Sequence, residues 1–274
     1  MAAKICLVTG ASSGIGHATA LELLRGGHIV YGAARRVHQM EAIREAGGHA
    51  LQMDVTKEED LQRVVRTVLE AHERIDVLVN NAGAVVHGAV EDTPMAMARD
   101  EFEVNLFAPA RLTQLVLPHM RARGSGTIVN VSSVGGEIAL PLGAWYYASK
   151  HALEAFSDTL RMEVGQFGID VVVVQPGVIK TDFEAGTARQ LREISGNGAY
   201  RQMAEAMAQA AEPQVGGDNP ASDPEVVATT IRQAVESARP ETRYVVGWQA
   251  EALLNLNRSL SDREFDATVT GRLT

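Results

Sequence analysis

The 274-residue chain has one cysteine, 5% aromatic residues and no apolar run of the 18 or more residues a membrane span requires. A lone cysteine excludes an internal disulfide framework. Cys6 stands among Ile5, Leu7 and Val8 and reads as a small buried hydrophobe. The eight histidines form no H-E-x-x-H or other ligand-spaced cluster, so no metal site is expected. Positive charge is in deficit, with 25 Lys and Arg against 34 Asp and Glu and a net charge of −9. With no basic cluster interleaved with aromatics, such a surface repels a phosphate backbone, and nucleic acid is not an expected partner. Repeats and low-complexity tracts are missing too. The chain runs from Met1 into apolar Ile5–Val8 with no charged, apolar and cleavable leader pattern, so a cytoplasmic location is the expectation.

What is present is an alternation of short β-rich runs with amphipathic segments of helical length, the signature of βαβ units. Strands are predicted at 4–9, 28–33, 50–53, 77–80, 127–131, 169–174 and 243–246. They are short and almost wholly apolar, Val171-Val172-Val173-Val174 most plainly, as strands buried on both faces must be. Helices are predicted at 16–25, 38–45, 58–73, 95–121 and 147–167. The expected fold is α/β: one Rossmann-type, doubly wound domain over 1–274, with a mainly parallel seven-stranded sheet and helices on both faces.

After Pro176 the pattern changes. Residues 181–217 carry no strand signal, and 199–211 reads as an isolated helix with Tyr200, Met203 and Met207 on one side; a lid over the sheet is expected here. A further helix should start at Asp223-Pro224-Glu225, where Asp can cap and Pro suits the first turn. The tail, about 248–274, reads as a helical extension with Leu253, Leu254, Leu256 and Leu260 as packing residues.

The first strand ends in Thr9-Gly10-Ala11-Ser12-Ser13-Gly14-Ile15-Gly16, directly before a helix. Helix-end N–H groups attract a pyrophosphate, and glycine lets a nucleotide approach the backbone. Three glycines alone do not exclude an ordinary turn. The spacing is G-x3-G-x-G, and Asn80-Asn81-Ala82-Gly83 follows the fourth strand. On these two motifs the chain resembles the short-chain dehydrogenases/reductases of the non-extended branch, over residues 4 to 182.

The resemblance implies a nicotinamide dinucleotide held by Gly10, Ser12, Ser13, Gly14, Ile15 and Gly16, with Asp54 and Val55 at the adenine and Asn81, Ala82 and Gly83 beyond. Asp54 also suits a turn. The second strand ends in Ala33-Ala34-Arg35-Arg36, with no acidic residue to bind the adenosine ribose and repel a 2′-phosphate. Two guanidinium groups there favour NADP(H) over NAD(H), Arg35 ahead of Arg36.

Tyr146 precedes Lys150 by four residues, so on a helix they share a face. A phenol ionises near pH 10, and a neighbouring ammonium favours the phenolate. Family resemblance makes Tyr146 the acid/base, Lys150 its support and grip on the nicotinamide ribose, and Ser133 the hydroxyl that orients the substrate oxygen. It makes Asn105 the holder of a water in a proton path. Pro176, Gly177 and Val178 would lie near the nicotinamide, with Thr181 on the carboxamide. Ser132 is assigned as a turn hydroxyl and Tyr147 as packing or substrate wall.

The expected activity is interconversion of an alcohol with a ketone or aldehyde by hydride transfer. An apolar small-molecule substrate is expected from Ile138, Leu140 and Leu142 in the 134–144 segment. A non-catalytic NADP(H) sensor on the same fold is the alternative. The family's use of two long helices, here 95–121 and 147–167, implies a homodimer or homotetramer.

Overall fold

The computed structural model describes residues 2–181, 186–212 and 221–271. Strand β1 (Ile5–Thr9) is fully buried and leads through the glycine loop into α1 (Gly14–Arg25). There follow β2 (Ile29–Ala34), α2 (Glu41–Glu45), β3 (His49–Gln52), α3 (Glu58–His72) and β4 (Val77–Asn80). The chain continues through α4 (Met95–Phe102), α5 (Ala108–Arg123), β5 (Gly126–Val131), α6 (Ala144–Val164) and β6 (Ile169–Pro176). Helices α7 (Thr187–Ser195), α8 (Arg201–Ala211) and α9 (Pro224–Glu236) precede β7 (Arg243–Val246), and α10 (Ala250–Ser259) and α11 (Asp262–Thr270) complete the described chain.

The strands form one seven-stranded sheet in the order β3-β2-β1-β4-β5-β6-β7, with every neighbouring pair parallel. This is the doubly wound Rossmann-type architecture expected from the alternation. Valines on one face of β4, β5 and β6, with Leu78, Ile128 and Val171 on the other, make the sheet the middle of a sandwich. One face packs Leu23, Val227 and Ile231 of α1 and α9, the other Val64, Leu112 and Leu160 of α3, α5 and α6. The chain winds outward from β1 to β3, then returns to β4 on β1's other side. The carboxyl ends of β1 and β4 therefore diverge into a crevice, where open α/β sheets bind ligands.

The helix expected at 95–121 is interrupted. Between α4 and α5, Glu103–Phe107 forms a π-turn, and the Ala108 amide bonds the Glu103 carbonyl five residues back. Pro109 sits in the first turn of α5. It lacks the N–H that an α-helix would send to the Asn105 carbonyl, so the sequence itself breaks the α ladder there. Helix α2 is likewise shorter than expected, preceded by a 3-10 turn at Val37–Met40.

Helix α7 is an addition to the sequence reading. Its one fully buried large side chain is Leu191, too sparse an apolar pattern to stand out among Thr187, Arg189, Gln190 and Arg192. It packs with α8 on Ala89 and Leu142, with Tyr200, Met203 and Met207 half-buried around them. Of the expected lid at 181–217, residues 182–185 and 213–217 lie outside the described residues, as do 272–274 of the extension. Asp223 precedes α9 as expected but makes no side-chain cap; its carboxylate pairs with Lys180 at 3.2 Å. The tail forms α10 and α11, the latter opened by a capping box of Ser261 and Glu264.

Candidate active site

The glycine loop is shaped by its neighbours across the crevice. Gly10 has φ +68, and a Cβ there would come within 2.8 Å of Asn81 Nδ2 and 2.9 Å of Ala82 Cα. A Cβ on Gly16 would overlap the same Asn81 amide. Glycine is required because the loop lies directly on the β4 exit. Thr9 locks that contact: its Oγ1 accepts from the Asn81 and Ala82 amides at 3.0 and 2.9 Å, and Asn81 Nδ2 donates to the Thr9 carbonyl at 2.9 Å. Asn81 thus spends its side chain on fixing the loop.

Ser13 occupies the N-cap of α1 without a side-chain cap, so first-turn amides remain for an anion. Ile15 turns its side chain into the core. Thr181 comes to the same loop, its Cγ2 at 3.0 Å from where a Gly14 Cβ would be. The segment carrying it is pinned by the C-terminal part of the chain. Gly177 N donates to Val246 O, Val178 N to Trp248 O and Ser222 N to Val178 O, and any Cβ on Gly177 would strike Trp248 O. Pro176 ends β6 opposite Val246.

At the end of β2 both arginines are exposed, but Arg36 is the one brought over the loop, donating to Ser13 Oγ at 3.1 Å and Ser12 Oγ at 3.4 Å. Arg35, favoured from sequence, has no such contact. Asp54 makes a turn, accepting from Thr56 N at 3.0 Å and Thr56 Oγ1 at 2.9 Å. Val55 is half-buried on the core, and Gly83 is exposed at the crevice rim.

Helix α6 presents Tyr146 and Lys150 together. Lys150 is 6% exposed; its Nζ donates to Val131 O at 3.0 Å and lies 5.9 Å from the Tyr146 ring centroid. Burial pulls the Lys150 ammonium down to about 8, against the opposing fields of Glu101 and Glu154. Tyr146 also lies 6.5 Å from the His87 ring and edge-on to Tyr147 at 5.6 Å. Tyr147 packs where Gly135 and Gly143 leave room, and burial pushes its phenol upward.

The turn bond expected of Ser132 is made by Ser133. Ser133 Oγ is the turn hydroxyl, accepting from Gly135 N at 3.0 Å. Ser132 is buried, and its Oγ has no hydrogen-bond partner among the described residues. By accepting one amide, Ser133 keeps its own proton to donate, which suits a hydroxyl that must hold an oxygen.

Asn105 is 1% exposed and its amide is bonded at both ends. Nδ2 donates to Ala84 O and to Ser149 Oγ, each at 2.9 Å, and Oδ1 accepts from Ala84 N at 2.8 Å. Both N–H groups of the side chain are thus taken, while Pro109 leaves the Asn105 main-chain carbonyl without an α-helical donor.

Three supports were missed from sequence. Ser149 Oγ donates to Tyr146 O at 2.8 Å and so ties Asn105 to α6. Asn80, Asn130 and Ser157 form a buried ladder below the site, with links of 2.9 and 2.8 Å. Glu101, 1% exposed, has a carboxyl that burial raises to about 8. An Asn inside an apolar strand was the available signal for the ladder; nothing local marked Glu101. Two expected pocket residues lie elsewhere. Ile138 and Leu140 pack with Leu254 and Phe265 of the C-terminal helices, because the 134–144 segment is the platform on which that extension sits.

The sheet order, the glycine loop laid on Asn81 and the Tyr146–Lys150 pair define a dinucleotide-fold oxidoreductase. The model of the short chain dehydrogenase family matches residues 4–192. The chain belongs to that family, and the oxidoreductase class follows from it. It is 35% identical over 254 residues to the uncharacterized oxidoreductase YusZ of Bacillus subtilis, covering 89% of each chain. The crystal structure of a short-chain dehydrogenase from Streptomyces avermitilis superposes with TM-score 0.82 at 35% identity, covering 97% of this chain and 96% of that one. A single-residue variant of the actinorhodin polyketide ketoreductase with NADPH superposes with TM-score 0.74 at 30% identity, over 88% of this chain and 95% of the other.

Proposed function

We propose that the protein interconverts an alcohol and a ketone or aldehyde with NADP(H) as hydride carrier. The carrying observation is a phenol, Tyr146, beside a buried ammonium, Lys150, at the carboxyl end of the sheet. The crevice fits the dinucleotide: the loop admits no Cβ at Gly10 or Gly16, the first turn of α1 lacks a side-chain cap, and Lys150 uses one of its three donors on Val131. When bound, the nicotinamide supplies or accepts the hydride.

The residues do the rest. Ser133 donates to the carbonyl oxygen and orients it. Tyr146 gives its proton to that oxygen during reduction and takes it back during oxidation. Lys150 holds the developing phenolate by its charge and reaches the ribose hydroxyls. Asn105 holds a water through its main-chain carbonyl, on the proton path to solvent. Asp54 and Val55 would hold the adenine, and Asn81, Ala82, Gly83, Pro176, Gly177, Val178 and Thr181 would hold the nicotinamide half.

Two guanidinium groups and no carboxylate at the end of β2 support NADP(H) over NAD(H), with Arg36 rather than Arg35 as the phosphate ligand because it already lies over Ser12 and Ser13. Tyr147, Leu142 and the half-buried Met203 and Met207 support a substrate with an apolar body. Helices α7 and α8 form the lid, and the face made by α4, α5 and α6 is the seam of a homo-oligomer. The similarity to an NADPH-bound polyketide ketoreductase agrees with this reading.

The test is NADPH oxidation across a panel of ketones and aldehydes. Tyr146→Phe should lose about 10²–10⁴-fold in kcat while NADPH still quenches tryptophan fluorescence. Binding without turnover on any carbonyl would favour the sensor alternative.

A further inference from the structure

Glu101 is a buried carboxylate that the reaction described above leaves without a task. It sits in the last turn of α4, four residues before Asn105, and is 1% exposed. Its Oε1 accepts from Val86 N at 3.3 Å, a long bond; its Oε2 is buried with no hydrogen-bond partner among the described residues. Acidic side chains are almost never buried without a cation. A glutamine would serve the Val86 amide equally well and cost far less to bury, so the acid calls for a reason beyond that bond.

The neighbouring charges supply one. Lys150, across the α4–α6 contact, is acted on by two carboxylates, Glu101 and Glu154. Glu154 is already neutralised by Arg243, which donates to it at 2.7 and 3.1 Å, with Gln175 adding a bond of 3.0 Å. Glu101 has no such arginine, and the charge acting on it is that of Lys150. The titratable residue next to the Val86 amide it bonds is His87, whose imidazole burial holds below its ordinary value.

We propose that Glu101 is a positioning residue for proton supply: it keeps Lys150 charged, so that Lys150 can restore the proton Tyr146 gives to the substrate oxygen. This rests on the assignment of Tyr146 and Lys150 as the reacting pair. The direction follows from the burial of both groups. Burial raises the acid and lowers the ammonium, each to about 8, so the two titrate as a coupled pair, and once Glu101 is ionised its anion retains the proton on Lys150. The cation then outlasts the pH at which a buried lysine alone would lose it.

The experiment is the pH profile of kcat for carbonyl reduction, from about pH 6 to about pH 10, in wild type and Glu101→Gln. Loss of the anion should move the alkaline limb about one unit to lower pH, so that kcat falls about tenfold near pH 9 and stays close to wild type near pH 6.5. The Kd for NADPH should not change, and the midpoint of thermal unfolding at pH 9 should not fall. If Glu101→Gln does not fold, Glu101→Asp, which withdraws the carboxylate by one methylene, should displace the limb the same way by less. A profile that superposes on wild type, or a uniform loss at every pH with a lower melting temperature, overturns the proposal. A wild type that turns over no carbonyl, or a Tyr146→Phe variant that remains active, instead overturns the function on which it rests.

Discussion

Asn105→Ala should unfold the protein more readily as well as slow it. The side chain is 1% exposed and makes three hydrogen bonds of 2.8 to 2.9 Å, two to Ala84 and one to Ser149. Each is worth about 1 kcal/mol net, and the Ala84 amide and carbonyl left without partners add desolvation costs of about 1–3 kcal/mol each. Ser149 Oγ still donates to Tyr146 O, so it loses one bond of two. Together these terms come to about 5–9 kcal/mol. For a chain of this length that corresponds to a fall of at least about 10 °C in Tm, read by circular dichroism. Asn105→Asp should do no better, because it sets a second acceptor against the Ala84 carbonyl. A Tm within about 2 °C of wild type would refute the reasoning and return the amide to the list of groups free to bind a water or substrate.

Two further outcomes follow from charges. Arg36→Asp should weaken NADPH binding at least about tenfold more than NADH binding, while Arg35→Asp should have the smaller effect; fluorescence titration with both nucleotides reads this, and the reverse order would restore the preference drawn from sequence. Lys150→Met should abolish turnover yet raise stability near pH 7. Burial brings Lys150 from 10.5 to about 8, so the folded state carries a cost on the order of 3 kcal/mol that is full below pH 8 and gone above the unfolded value. The variant's advantage in Tm should therefore shrink as pH rises from about 8 towards about 10.5, and a lower Tm near pH 7 would contradict it.

The sheet was legible because its strands are buried on both faces: β4 and β7 fall where the apolar runs put them, and the other strands within two residues. The pattern could not show where a helix changes hydrogen-bond spacing. The break at Glu103–Phe107 needed Pro109 to be read together with Asn105, a relation of chemistry rather than periodicity. Tyr146 and Lys150 were legible because a four-residue spacing on a helix is a local fact. The turn bond was expected of Ser132 and is made by Ser133, since which hydroxyl meets an amide depends on the turn made after β5. Ile138 and Leu140 were recognisable as apolar, but whether an apolar side chain lines a cavity or anchors another helix is decided by α10 and α11, more than a hundred residues away.

The segment after β4 links these parts. Residues 81–89 belong to no helix or strand, yet elements from across the chain grip almost every residue. Thr9 holds Asn81 and Ala82, Asn105 holds Ala84 and Glu101 holds Val86. Gln190 of α7 accepts from His87 N and donates to Val85 O, and Ser195 accepts from Ala89 N. The Leu142 carbonyl, at a residue with φ +60, accepts from Gly88 N. Irregular backbone held this way transmits position instead of absorbing it. The glycine loop bears on one end of the segment, the π-turn on its middle, and α7 with the Leu142 strain point on the other. The hydrogen bonds of α7 to Val85, His87 and Ala89 therefore join that helix to the same run of backbone that Thr9 holds at Asn81 and Ala82.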